Sequence, residues 1–216
     1  MNLRPWLLLA LLVPGVPRAG EVRGVVRYSG AAPAAAREVT RDRPVCGDSA
    51  ADESLVVNGG ALANAVIRVV APRTPAPVRA TLDQQKCRFV PHVQALPVGS
   101  TLEIANGDPV LHGVIGHAGK AVVFDDPMPA NAAKRTRTLS KPGVVRVSCH
   151  VHDWMSAWIV VVDSPAAVSD GAGRFAIADV PPGDHVAVIW HERLGEKVVP
   201  VKVPATGAVT VEVSYP

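Results

Sequence analysis

The sequence predicts an all-β protein, and three observations predict it. Valine is abundant while aromatic residues make up only 4% of the chain. Eighteen glycines and twenty prolines punctuate it at short intervals. No stretch carries the apolar spacing of a convincing amphipathic helix. β-Branched side chains pack well on a pleated surface, and Gly and Pro supply the turns between short strands, so the pattern reads as a sandwich or barrel.

In chain order, MNLRPWLLLALLVPGVPRAG opens with one charge at Arg4 and runs apolar from Trp6 to Val13. That run is too short to span a bilayer. With small residues at Ala19 and Gly20 it reads as a signal peptide over residues 1–20, which places the protein in the periplasm or outside the cell. No later segment is long and apolar enough for a membrane, so no membrane insertion is expected after cleavage. Loss of Arg4 and Arg18 leaves 20 basic against 19 acidic residues. That near-balance argues against a polyanionic partner such as nucleic acid, and Lys134 with RTRTLSK reads as a solvated strand face.

Strand-like runs follow at Val22–Tyr28, Ala65–Val70, Val93–Leu96, Thr101–Ala105, Ala121–Phe124, Val144–Ser148 and Ser156–Val162, each bounded by Gly, Pro, Asn or Asp. A second series covers Arg174–Ile177, His185–Trp190, Lys197–Val203 and Val209–Val213. The donor-poor APRTPAP of residues 71–77 reads as a linker, and DSPAAVSDGAG of residues 163–173 marks a further boundary. The expected division is an N-terminal β segment, 21–77, a central unit, 78–162, and a C-terminal unit, 163–216.

Three cysteines in an oxidising compartment predict one disulfide and one thiol kept for another purpose. Cys149 sits among histidines, whereas Cys46 in RPVCGDS and Cys87 in DQQKCRF do not, so Cys46 is paired with Cys87.

The informative stretch is SCHVHDWMSAW, which sets Cys149, His152 and Met155 at the spacing Cys-x2-His-x2-Met. A thiolate, an imidazole and a thioether on one tight loop suit copper, because soft sulfur holds Cu(I) and imidazole serves both copper states. Zinc seldom uses Met. A second imidazole is needed from another strand, and His112 in ANGDPVLHGV is the best candidate, after a turn at Asn106–Asp108. His92 and His150 are weaker competitors. Two residues apart on one loop is a spacing for shared coordination rather than for a nucleophile and its base, and neither Ser148 nor Asp153 completes a triad, so no enzyme activity is expected.

FVPHVQALPVGSTLEIANGDPVLHGV and PGVVRVSCHVHDWM together resemble the two signature stretches of cupredoxins, with a loop closest to that of amicyanin. The resemblance covers about residues 80–162. It implies a Greek-key β-sandwich with copper held by His112, Cys149, His152 and Met155, and an exposed edge of His152 as electron port. An apolar patch around Met128, Pro129 and Trp154 would then dock a redox partner protein. The family usually has Asn after the upstream His, where this chain has Gly113.

AVSDGAGRFAIADVPPGDHVAVIWHERLG resembles the transthyretin-like, carboxypeptidase-regulatory β-sandwich, a second small sandwich, with Gly171 and Gly173 expected at positive φ and Pro181–Gly183 as the next turn. That family's opening strand resembles GEVRGVVRYSG at the far end of the chain. Residues 21–70 and 163–216 are therefore expected to form one discontinuous sandwich with the cupredoxin-like unit inserted. The alternative is two consecutive domains. The function expected is a one-electron carrier in the periplasm, and the alternative is a non-redox copper-binding or delivery protein.

Overall fold

A computed structural model describes residues 19–31 and 36–216. The expected signal peptide lies outside the described residues apart from its last two, and Gly20 already opens the first strand, Gly20–Tyr28. Among the described residues the chain is nearly all β, with several sheets and one helical turn at Arg43–Cys46.

Two sheets are built from strands near both ends of the sequence. In one, Gly20–Tyr28 pairs antiparallel with Arg174–Val180 and parallel with Ala208–Tyr215, and also meets Ala61–Leu62. In the other, the order is Ala166–Val168, Val66–Val70, Gly183–His191, Gly195–Val203. Their facing side chains, among them Val22, Val26, Ile67, Val69, Phe175, Ile189 and Val213, form one apolar cluster. The DGAG turn works through one of its two glycines. Gly173 has φ 72° and a Cβ there would lie 2.4 Å from Val26 O, while Gly171, expected at positive φ, does not need it.

Two further sheets come from the middle of the chain. One runs Ala121–Met128, His112–Ala118, Gly143–Cys149, Ser156–Val162, Val93–Pro97. The other runs Arg135–Thr138, Thr101–Ile104, Arg79–Gln84, Phe89–Val90. Between them lies a second cluster that holds Leu82, Leu102, Ile104, Val114, Val145, Val147 and Ile159. Val39, Cys46 and Ala50 belong to this cluster as well. They come from a short hairpin, Ala36–Glu38 with Ser49–Ala51, and the helical turn inside it. Residues 36–51 therefore pack on the middle of the chain and not on the sheets of its ends.

Alternation along the strands explains how the pieces meet. Ala157, Ile159 and Val161 face the second cluster, while Trp158, Val160 and Val162 face a third that also takes Val66, Ala166, Val168 and Trp190. Successive side chains of a strand point to opposite faces, so AWIVVV, after Ser156, is apolar throughout because both its faces are covered. The basic stretch lies where a solvated face was expected. Lys134 pairs with Glu103 at 3.1 Å, and Arg137 pairs with the buried Asp126.

Candidate metal centre

The two strands that carry the site are tied by their backbones. Val114 stands opposite Cys149 in the ladder between His112–Ala118 and Gly143–Cys149. His150 N donates to Gly113 O at 2.8 Å, and Gly113 N donates to Cys149 Sγ at 3.4 Å. The peptide at Gly113 thus ties the two strands together beside the sulfur. His150 packs against this glycine, 3.1 Å from where a Cβ would stand. The sulfur also accepts from Val151 N at 3.4 Å.

His112 and His152 converge on Cys149. Their Nδ1 atoms lie 2.9 Å apart, and each is 3.8 Å from Cys149 Sγ. Both imidazoles are fully buried and Cys149 is 8% exposed. Each ring has its far nitrogen committed elsewhere. His112 Nε2 lies 3.0 Å from Asp108 Oδ2, and His152 Nε2 lies 2.9 Å from Asp42 Oδ2. A carboxylate accepts only, so both Nε2 atoms carry the proton and both Nδ1 atoms present lone pairs to each other and to the sulfur. Burial also lowers the pKa of His112 below its ordinary value, with Asp108 opposing that shift, which favours the neutral ring. Two imidazole nitrogens and a sulfur aimed at one point form a donor set suited to a soft metal cation. Bonds of about 2.0 Å to nitrogen and about 2.3 Å to sulfur can reach a common point inside this triangle.

Met155 closes the same loop. Its backbone N donates to His152 O at 3.1 Å, and its side chain, 2% exposed, lies in the apolar cluster that also holds Cys149. Trp154 packs on His152 with ring centroids 4.9 Å apart and donates Nε1 to Cys87 O at 3.1 Å.

Other expected features stand elsewhere. His150 is half exposed and faces Asp125 Oδ1 at 3.1 Å. His92 is bonded to Ser156 O at 3.0 Å and to Glu192, so it braces the end of the loop from outside the trio. The exposed port and the apolar docking patch are corrected. His152 has no exposed edge because Asp42 and Trp154 cover it, and Met128 and Trp154 are buried, which leaves Pro129 alone at the surface. Cys46 and Cys87 do form a disulfide.

Sequence reasoning missed both carboxylates. Asp108 had a signal, four residues before His112 in an N-G-D-P turn. Asn106 organises that turn by donating Nδ2 to Val110 O and Met128 O, each at 2.9 Å. Asp108 is held further by Lys86 N at 2.6 Å and Cys87 N at 2.8 Å. Asp42 had none, being 110 positions from His152.

No protein-family model matches the chain, and no curated protein matches it. Similar solved structures include a purple cupredoxin from Nitrosopumilus maritimus, 20% identical with TM-score 0.34, which covers 38% of this chain and 99% of that one. Amicyanin from Paracoccus versutus is 18% identical with TM-score 0.35, over 44% of this chain and 97% of that one. A Cu-containing nitrite reductase from Thermus scotoductus is 24% identical with TM-score 0.35, over 52% of this chain and 27% of that one.

Proposed function

We propose that the chain is a mononuclear copper protein of cupredoxin type that carries single electrons in the periplasm. One observation carries the reading: two imidazole Nδ1 atoms and a cysteine sulfur converge within 3.8 Å of one another, while both outer nitrogens are bonded to carboxylates. His112 and His152 would supply nitrogen, Cys149 the thiolate and Met155 a thioether. Copper held there supplies one-electron transfer between Cu(II) and Cu(I).

The residues do the rest. Asp108 and Asp42 hold the two rings in the tautomer that leaves Nδ1 free. The peptides of Gly113 and Val151 hold the thiolate. Met155 and Trp154 exclude water, which keeps the donor set unchanged between oxidation states. Such closure supports retention and electron transfer over delivery, since an exchangeable site needs solvent access. It also supports a non-enzymatic role, because no substrate reaches donors that are 0% and 8% exposed. A redox partner protein would exchange electrons across the covered rim.

The test is the visible spectrum of the exported protein with one equivalent of Cu(II), beside the Cys149→Ser variant. An intense thiolate-to-copper band that disappears with Cys149 is the expected result. Copper bound without that band would overturn the electron carrier and leave the delivery reading in its place.

A further inference from the structure

We propose that residues 36–51 form a strap that positions the metal centre and retains its ion, with Asp42 as the positioning residue on His152 and the Cys46–Cys87 disulfide as the anchor. The proposal rests on the copper reading.

The strap is built to present one carboxylate. Asp42 stands at φ 52°, a left-handed conformation that a non-glycine residue adopts at a cost unless its surroundings hold it. Those surroundings are the helical turn itself, in which Val45 N and Cys46 N both donate to Asp42 O at 2.9 Å. Arg43 Nε donates to Val39 O at 3.0 Å, and Val39 N donates to Asp48 O at 3.3 Å, which closes the strap on itself. Val39 and Ala50 bury their side chains in the central cluster at either end. With the carboxylate 2.9 Å from its Nε2, the ring of His152 is 0% exposed while the Asp42 side chain stays 40% exposed. The strap, with Trp154, therefore separates this imidazole from water.

The anchor lies against the centre. The sulfurs of Cys46 and Cys87 and a ring nitrogen of His152 all lie within 4.8 Å of one another, and so do Cys87 Sγ, a carboxylate oxygen of Asp108 and a ring nitrogen of His112. Cys87 also donates its backbone N to Asp108 and accepts Trp154 Nε1 at its carbonyl. One cross-link thus joins the support of His152, through Asp42, to the support of His112, through Asp108. A ligand whose second nitrogen donates to a carboxylate is a better base and is held in orientation, and loss of such a partner commonly weakens metal binding about 10–100-fold.

The experiment uses the full exported protein loaded with copper alone, comparing wild type, Asp42→Asn and the Cys46→Ser/Cys87→Ser double variant. Release of Cu(I) to a chromogenic chelator is expected to be about 10–100-fold faster in both variants. Asp42→Asn should also raise the reduction potential, because the imidazole loses the charge that favours Cu(II). Asp42→Asn preserves size and leaves the disulfide intact, so it decides the matter if the double variant does not fold. Wild-type release and wild-type potential in folded Asp42→Asn would overturn the strap. Should the wild type take up no copper, the copper reading itself fails. The strap is then decided by the ¹⁵N shifts of His152 in the metal-free protein: an Nε2–H tautomer lost in Asp42→Ala, which removes the acceptor, upholds it, and one unchanged in that variant overturns it.

Discussion

His191 shows what a buried imidazole costs when one of its nitrogens has no partner. It is 1% exposed, its Nε2 has no hydrogen-bond partner, and its Nδ1 accepts from Arg193 N at 3.3 Å. Burial pushes its pKa down from 6.5 to about 4, with Glu192 opposing the shift and His92 and Arg193 adding to it. The unfolded chain binds this proton more readily, so stability holds above pH 6.5 and falls as the pH drops towards about 4. The loss comes to about 3 kcal/mol by the bottom of that window. His191→Leu should flatten it, as read by urea unfolding at pH 7 and pH 4. His112 and His152 are buried as deeply, yet each has a carboxylate on one nitrogen and its partner ring and a thiol on the other. Their burial serves a site, whereas that of His191 serves packing.

Among the elements, the strand Gly20–Tyr28 is the most constrained, because it pairs along both edges. Gly24 marks the place where no side chain fits. A Cβ there would stand 1.8 Å from Val211 O and 2.9 Å from the Phe175 ring. Gly24→Ala must part this strand from Ala208–Tyr215 or displace Phe175, at a cost of about 3 kcal/mol or more. Thermal unfolding should report the loss with the copper spectrum unchanged in the folded protein, since the ligands stand on other sheets. The proposed ligand loop shows the opposite economy. Cys149, His152 and Met155 lie on or beside one short connection between Gly143–Cys149 and Ser156–Val162, and the ladder to the strand that opens at His112 brings in the fourth residue.

Across the whole molecule, the sheets from the chain ends and the sheets from its middle share a face. Trp158 meets Trp190 edge to face at 5.4 Å, and His92 pairs with Glu192 where both side chains are nearly buried. His92 in turn holds Ser156 O, next to Met155. Glu192→Ala leaves that imidazole without its partner and should cost about 3 kcal/mol, while Glu192→Gln, which can still accept from His92, should cost clearly less. Chemical unfolding of the three proteins at neutral pH checks the order. A change in the copper spectrum of Glu192→Ala would further show that the shared face reaches the ligand loop.

Residue types and local spacing determined much by themselves. Valine-rich runs between Gly and Pro specify strands because alternation and turns are local properties, and Cys-x2-His-x2-Met announces soft donors on one loop. The disulfide was legible because Cys149 was claimed by its neighbours, leaving Cys46 and Cys87 to each other. The strands Arg79–Gln84 and His112–Ala118 were not, since RATLDQ and HGVIGHA mix polar and small residues and become strands through their pairings. Only the tertiary structure decided that the two imidazoles face a common point with their outer nitrogens held. Asp42 reaches His152 across 110 positions, and the helical turn and disulfide that place it act through space. It also decided that the expected port is closed. Exposure depends on what folds over a residue, and the segment that folds over His152 carries no local sign that it will.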